Sequence, residues 1–152
     1  MQEVKNLVNQ QLDALLTDET DLTANMANAS ALLNQSLSDI NWVGFYNYSE
    51  ANDELILGPF QGNVACMHIK PGDGVCGTSF VNQKPLRVPD VNQFAGHIAC
   101  DANSKSEIVV PIYKDGKGIG VLDIDSPSLD RFSADDEKQL VEFVEVFTSH
   151  ID

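Results

Sequence analysis

Three cysteines and a group of acids carry most of the chemistry that this 152-residue chain has available. Cys66, Cys76 and Cys100 follow one another at ten and then 24 residues, and the count is odd. A closed disulfide framework is therefore not expected, and a reducing compartment would keep the thiols free. Cys100 lies in a polar loop between His97 and Asp101. Such a loop gives a thiol the access that a nucleophile needs, and the imidazole nearby favours its thiolate. Cys76 is expected in the first turn of a short helix from Gly74 to Asn82, where the positive end of the helix would lower a thiol pKa. The plainer role of a small buried hydrophobe stays open for it.

Glu107, Asp123 and Asp125 follow Cys100 on two strands, Glu107 to Tyr113 and Gly118 to Asp125. A three-residue loop with Gly116 left-handed would pair Tyr113 with Lys117 and set Glu107 opposite Asp123. Asp125 then projects from the same face, and the three carboxyls gather at one end of the hairpin. A plain two-residue Asp115-Gly116 turn would put Glu107 on the other face.

Carboxylates held side by side persist only if a cation neutralises them or a proton stays among them. One option is a divalent ion held by Glu107, Asp123, Asp125 and His97, but the chain has no HExxH or calcium-loop spacing to support it. A second is solvated acids at a sheet edge. A third is a ligand whose ammonium group meets one acid while a protonated neighbour donates to an oxygen, with Cys100 as nucleophile.

The elements that must position these residues are legible from period and caps. Leu7, Val8, Leu12 and Leu15 give a first amphipathic helix, and Leu22, Met26, Ala29, Leu32 and Leu33 a second. Trp42, Val43, Phe45, Tyr46 and Tyr48 read as a strand that turns at Asn52-Asp53 into Leu55–Leu57. Trp42 and Tyr46, four apart, share one face, as core packing or as the apolar wall of a small-ligand pocket. Gly58 to Gly77 reads as loop around a short strand, Cys66 to Ile69, and Leu86 to Val88 as another strand. The loop from Pro89 to Lys105 is long enough to suggest function. Ser133 caps a last helix whose buried stripe is Leu140, Phe143, Val144 and Phe147. Helices at both ends of an antiparallel sheet predict a single α+β domain over 1–152, with the N- and C-terminal helices on one sheet face.

A formal net charge of −14 disfavours nucleic acid and anionic membranes as partners. No apolar run is long enough to span a bilayer and the N-terminus lacks a signal-peptide pattern, so a cytoplasmic protein is expected.

The segments NWVGFY from Asn41, LGPFQG from Leu57, GVCG from Gly74, GHIACD from Gly96, SEIVVPI from Ser106 and GVLDIDS from Gly120 closely resemble the free methionine-R-sulfoxide reductases. That resemblance implies a GAF-like fold and a thiol-dependent reduction of free methionine-R-sulfoxide. Cys100 would attack the sulfoxide sulfur and become a sulfenic acid, and Cys76 or Cys66 would condense with it to a disulfide that thioredoxin reduces. Glu107 and Asp125 would bind the sulfoxide oxygen and supply its proton. Asp123 would meet the substrate ammonium, and Trp42 and Tyr46 would wall the S-methyl group. No bound cofactor or metal is implied, and a homodimer is. A non-enzymatic GAF sensor of a small metabolite or of redox state is the alternative.

Overall fold

The computed structural model describes residues 2–96 and 103–151, the first few by backbone only. Two helices, α1 (Gln2–Leu16) and α2 (Leu22–Ser36), open the chain. Asp21 separates them and caps α2 by accepting the Ala24 N–H at 2.9 Å. The strands are β1 (Trp42–Ser49), β2 (Glu54–Gly62), β3 (His68–Ile69), β4 (Leu86–Val88), β5 (Ser106–Lys114) and β6 (Lys117–Ser126). They form one antiparallel sheet in the order β3-β2-β1-β6-β5-β4. Helix α3 (Gly74–Asn82) lies between β3 and β4, and α4 (Ala134–Ser149) ends the chain behind a capping box of Ser133 and Asp136.

Strand alternation sends neighbouring side chains to two different cores. Val43 and Phe45 on β1 join Ile108, Val110, Leu122 and Ile124 under α1, α2 and α4. Trp42 and Tyr46, on the other face, join Val109 and Val121 with Val75, Cys76 and Phe80 of α3. The terminal helices thus share one face, as the sequence leads one to expect, and the opposite face is left to α3 and the acids.

Two segments differ from the sequence reading. Gly58 to Gly62 is strand rather than loop: β2 carries one extra residue between the pairs Gly44–Phe60 and Tyr46–Leu57, and Pro59 sits in that bulge. A bulge tolerates the missing N–H of proline, so a turn-rich composition here does not end the strand. Strand β3 correspondingly shrinks to His68–Ile69.

The β5–β6 hairpin also corrects the expected register. Its turn is the two-residue Asp115-Gly116 form, both residues with positive φ, joining the pair Lys114–Lys117. One residue is then gained in β6, because Tyr113 pairs with Gly118 while Ile112 pairs with Gly120. The inserted residue restores the facing that the turn alone would have reversed. Glu107 therefore lies opposite Asp125 rather than Asp123, but still on the face the three acids share. Gly120 is the only residue type that fits after the bulge, since a Cβ there would stand 2.0 Å from the Tyr46 carbonyl oxygen.

Candidate active site

Sheet pairing lays the candidate residues out in adjacent rows. Glu107 on β5 neighbours Asp125 on β6, which neighbours Trp42 on β1; one row along, Asp123 lies between Val109 and Gly44. Gly44 is required between the two aromatic residues of β1, because a Cβ there would approach the Phe60 Cβ to 2.2 Å. Phe60 stacks on Trp42 at 5.1 Å, and Trp42 on Tyr46 at 5.9 Å. Phe60 belongs to the aromatic wall and sequence reasoning missed it. Its signal was the pairing of a bulky residue with a glycine across two strands, which is legible only once the register is known.

Helix α3 brings Cys76 onto the acids. Its Sγ donates to Glu107 Oε2 at 3.9 Å, and Cys76, Glu107, Asp123 and Asp125 are each 9% exposed or less. Burial raises the Glu107 carboxyl well above the usual range, and the neighbouring Asp123 and Asp125 raise it further. Glu107 is thus a carboxylic acid with reason to keep its proton at neutral pH.

The same surroundings decide between the two readings of Cys76, in favour of the small buried thiol. Burial first, then Asp123, Glu107 and Asp125, push its thiol well above the ordinary value. The helix N-terminus is worth only about 0.3–1 kcal/mol, and a dry site shared with three acids outweighs it. Cys76 is a neutral thiol and not an activated one.

The aromatic residues also tie down the chain beyond β2. Trp42 donates from Nε1 to the Asn63 carbonyl at 3.1 Å, and the Tyr46 hydroxyl donates to the Cys66 carbonyl at 2.9 Å. That hydroxyl stays protonated, its pKa raised by burial and then by Asp123. Trp42 and Tyr46 are themselves almost wholly buried, so a ligand would meet their edges. Cys66 is disulfide-bonded, whereas Cys76 is a free thiol.

The Cys76 Sγ and one carboxylate oxygen each from Glu107 and Asp123 lie within 4.8 Å of one another, a donor set able to take a divalent cation in place of protons. Asp125 lies beside this set, and His97, the other ligand considered from the sequence, falls outside the described residues, as do Cys100 and Asp101. The structure therefore brings together Trp42, Tyr46, Cys76, Glu107, Asp123 and Asp125, and ties Cys66 to them through Tyr46.

Comparison with known proteins extends this picture. The GAF domain model matches residues 11–151. Protein YtsP of Bacillus subtilis is 58% identical over 139 residues, covering 91% of this chain and 85% of the relative. The free methionine-R-sulfoxide reductase of Escherichia coli is 50% identical over 137 residues, covering 90% and 82%. Among solved structures, fRMsr of Staphylococcus aureus in its reduced form superposes with a TM-score of 0.94 at 53% identity, covering 97% of this chain and 95% of that one. The same S. aureus protein has been solved in complex with substrate, with a TM-score of 0.92 at 52% identity over 97% and 95% of the two chains.

Proposed function

This chain belongs to the free methionine-R-sulfoxide reductases, oxidoreductases built on a GAF domain, and we propose that it works through Cys100 as nucleophile, Glu107 as proton donor and Cys66 as resolving thiol. The observation that carries the proposal is Glu107: a buried carboxylic acid beside two further acids, its pKa raised well above the usual range by burial and by Asp123 and Asp125. Sulfoxide oxygen leaves sulfur poorly until it is protonated, so a reductase of this kind needs an acid whose pKa has been raised into the working range.

The steps balance as follows. The Cys100 thiolate attacks the sulfoxide sulfur while Glu107, assisted by Asp125, delivers a proton to the oxygen. The oxygen passes from the substrate sulfur to Cys100 as the S–O bond and the transient Cys100–substrate S–S bond break, so that methionine leaves with its sulfur reduced by two electrons and Cys100 becomes a sulfenic acid. The Cys66 thiol then condenses with that sulfenic acid, releasing water and forming a disulfide. That Cys66 is disulfide-bonded while Cys76 is a buried neutral thiol supports Cys66 over Cys76 in this role. A thioredoxin-class dithiol returns the disulfide to two thiols by exchange.

Recognition follows from the two ends of a free amino acid. Asp123 pairs with the substrate ammonium, backbone N–H groups near Cys100 donate to its carboxylate, and the Trp42–Tyr46 wall faces the S-methyl group. A methionine sulfoxide within a polypeptide has neither charged end and is excluded. We take the working unit to be a homodimer.

Thioredoxin-coupled NADPH oxidation tests the proposal, with the R and S epimers of free methionine sulfoxide assayed beside a peptide that contains the same group. Turnover of the free R epimer alone is expected. Equal turnover of the peptide would overturn the recognition scheme, and no turnover with reduced Cys100 would favour a GAF sensor.

A further inference from the structure

The segment Gln61–Met67, which carries Cys66, is held from the inside and apolar on the outside. Three hydrogen bonds fix its backbone: Trp42 Nε1 to the Asn63 carbonyl, the Tyr46 hydroxyl to the Cys66 carbonyl, and the Leu57 N–H to the Met67 carbonyl at 2.9 Å. Two large apolar side chains nevertheless stand in solvent on either side of Cys66, Val64 at 87% and Met67 at 66% exposure. A backbone pinned at three points has no local freedom to fold these side chains away. The stretch QGNVACM also contains no charged residue, in a chain whose formal net charge is −14.

We propose that Val64 and Met67 form the docking surface for the dithiol protein that reduces the Cys66 disulfide. The proposal rests on Cys66 being the recycled sulfur of the reaction above, and adds where its reductant binds. A disulfide constrains its own occupant: a thiolate must approach the attacked sulfur along the S–S axis, so whatever reduces it covers the surface around that sulfur. A small dithiol needs only the sulfur. A protein dithiol must desolvate the flanking residues, and apolar side chains in an uncharged stretch make that desolvation favourable.

The exchange is balanced within this surface. The reductant's first thiolate attacks Cys66 Sγ, forming a mixed disulfide and releasing the former partner sulfur as a thiolate. The reductant's second thiol then attacks its own first sulfur, closing the reductant's disulfide and freeing Cys66. Two electrons pass from the dithiol to this chain.

The test uses the full-length oxidised protein with no sulfoxide present, so that it does not depend on the reductase reaction. Reduction of the disulfide is followed by stopped-flow fluorescence with reduced thioredoxin and, separately, with dithiothreitol. Val64→Asp/Met67→Asp, both changes on exposed side chains, is compared with wild type after matching melting temperatures confirm that it folds. The second-order rate constant for thioredoxin is expected to fall about tenfold or more while the dithiothreitol rate stays within about twofold, the size of loss typical of removing docking residues. An unchanged thioredoxin rate overturns the proposal. Equal losses with both reductants also overturn it, because the two residues would then control access to the sulfur and not docking.

Discussion

Glu107 stands directly opposite Asp125 across the β5–β6 ladder, so that two carboxyl groups are neighbours on a buried sheet face with Cys76 above them and Asp123 one row along. Like charges in that position repel strongly, which, with burial, raises the Glu107 pKa and favours keeping a proton there.

Glu107→Gln keeps the shape and burial of the side chain and removes its proton. The single-turnover rate of methionine formation is expected to fall by roughly 10²–10⁴-fold, with a much smaller change in apparent substrate affinity. Rapid-quench measurement of methionine at saturating sulfoxide separates the two quantities; an effect confined to affinity would remove Glu107 from proton delivery.

The raised pKa of Glu107 sets the sign of a pH effect on stability. A carboxyl whose folded-state pKa exceeds its unfolded value binds its proton more tightly when folded. Its contribution is fully present below the unfolded pKa and is lost as pH rises through the folded one. Wild type should therefore lose stability relative to Glu107→Gln from acid to alkaline pH, as read by urea denaturation at several pH values. The single-turnover rate should decline at high pH in wild type, and that descending limb should be missing from the variant.

Cysteine variants separate chemistry from recycling. Cys100→Ser is expected to abolish methionine formation even in the first turnover. Cys66→Ser should still yield about one methionine per chain and then stop with thioredoxin as reductant. Cys76→Ala should continue through many turnovers. Sustained thioredoxin-driven turnover by Cys66→Ser, lost in Cys76→Ala, would exchange the two assignments.

Gly44→Ala places a methyl group against Phe60, whose Cβ lies 2.2 Å from the ideal position. Overpacking of this kind costs roughly 1–3 kcal/mol. It should lower the melting temperature and raise the Michaelis constant for sulfoxide, since Phe60 supports Trp42. A variant as stable as wild type would mean that β2 yields at its bulge.

The amino-acid sequence by itself determined what depends on short-range order. Helical period placed α1, α2 and α4, Ser133 announced the last cap, alternation put Trp42 and Tyr46 on one face, and the acids on β5 and β6 were identified as a group. Each of these signals is contained within a few residues, where backbone sterics and local hydrogen bonds act. Tertiary structure decided the rest. The facing of Glu107 depends on a one-residue bulge in β6, located where Gly120 closes on the carbonyl of Tyr46 from another strand. The state of Cys76 depends on its burial where α3 packs on the sheet and on acids from two strands, which together reverse what its helix position alone would give. Contacts between distant segments and the exclusion of water are properties of the assembled sheet, and no window of sequence contains them.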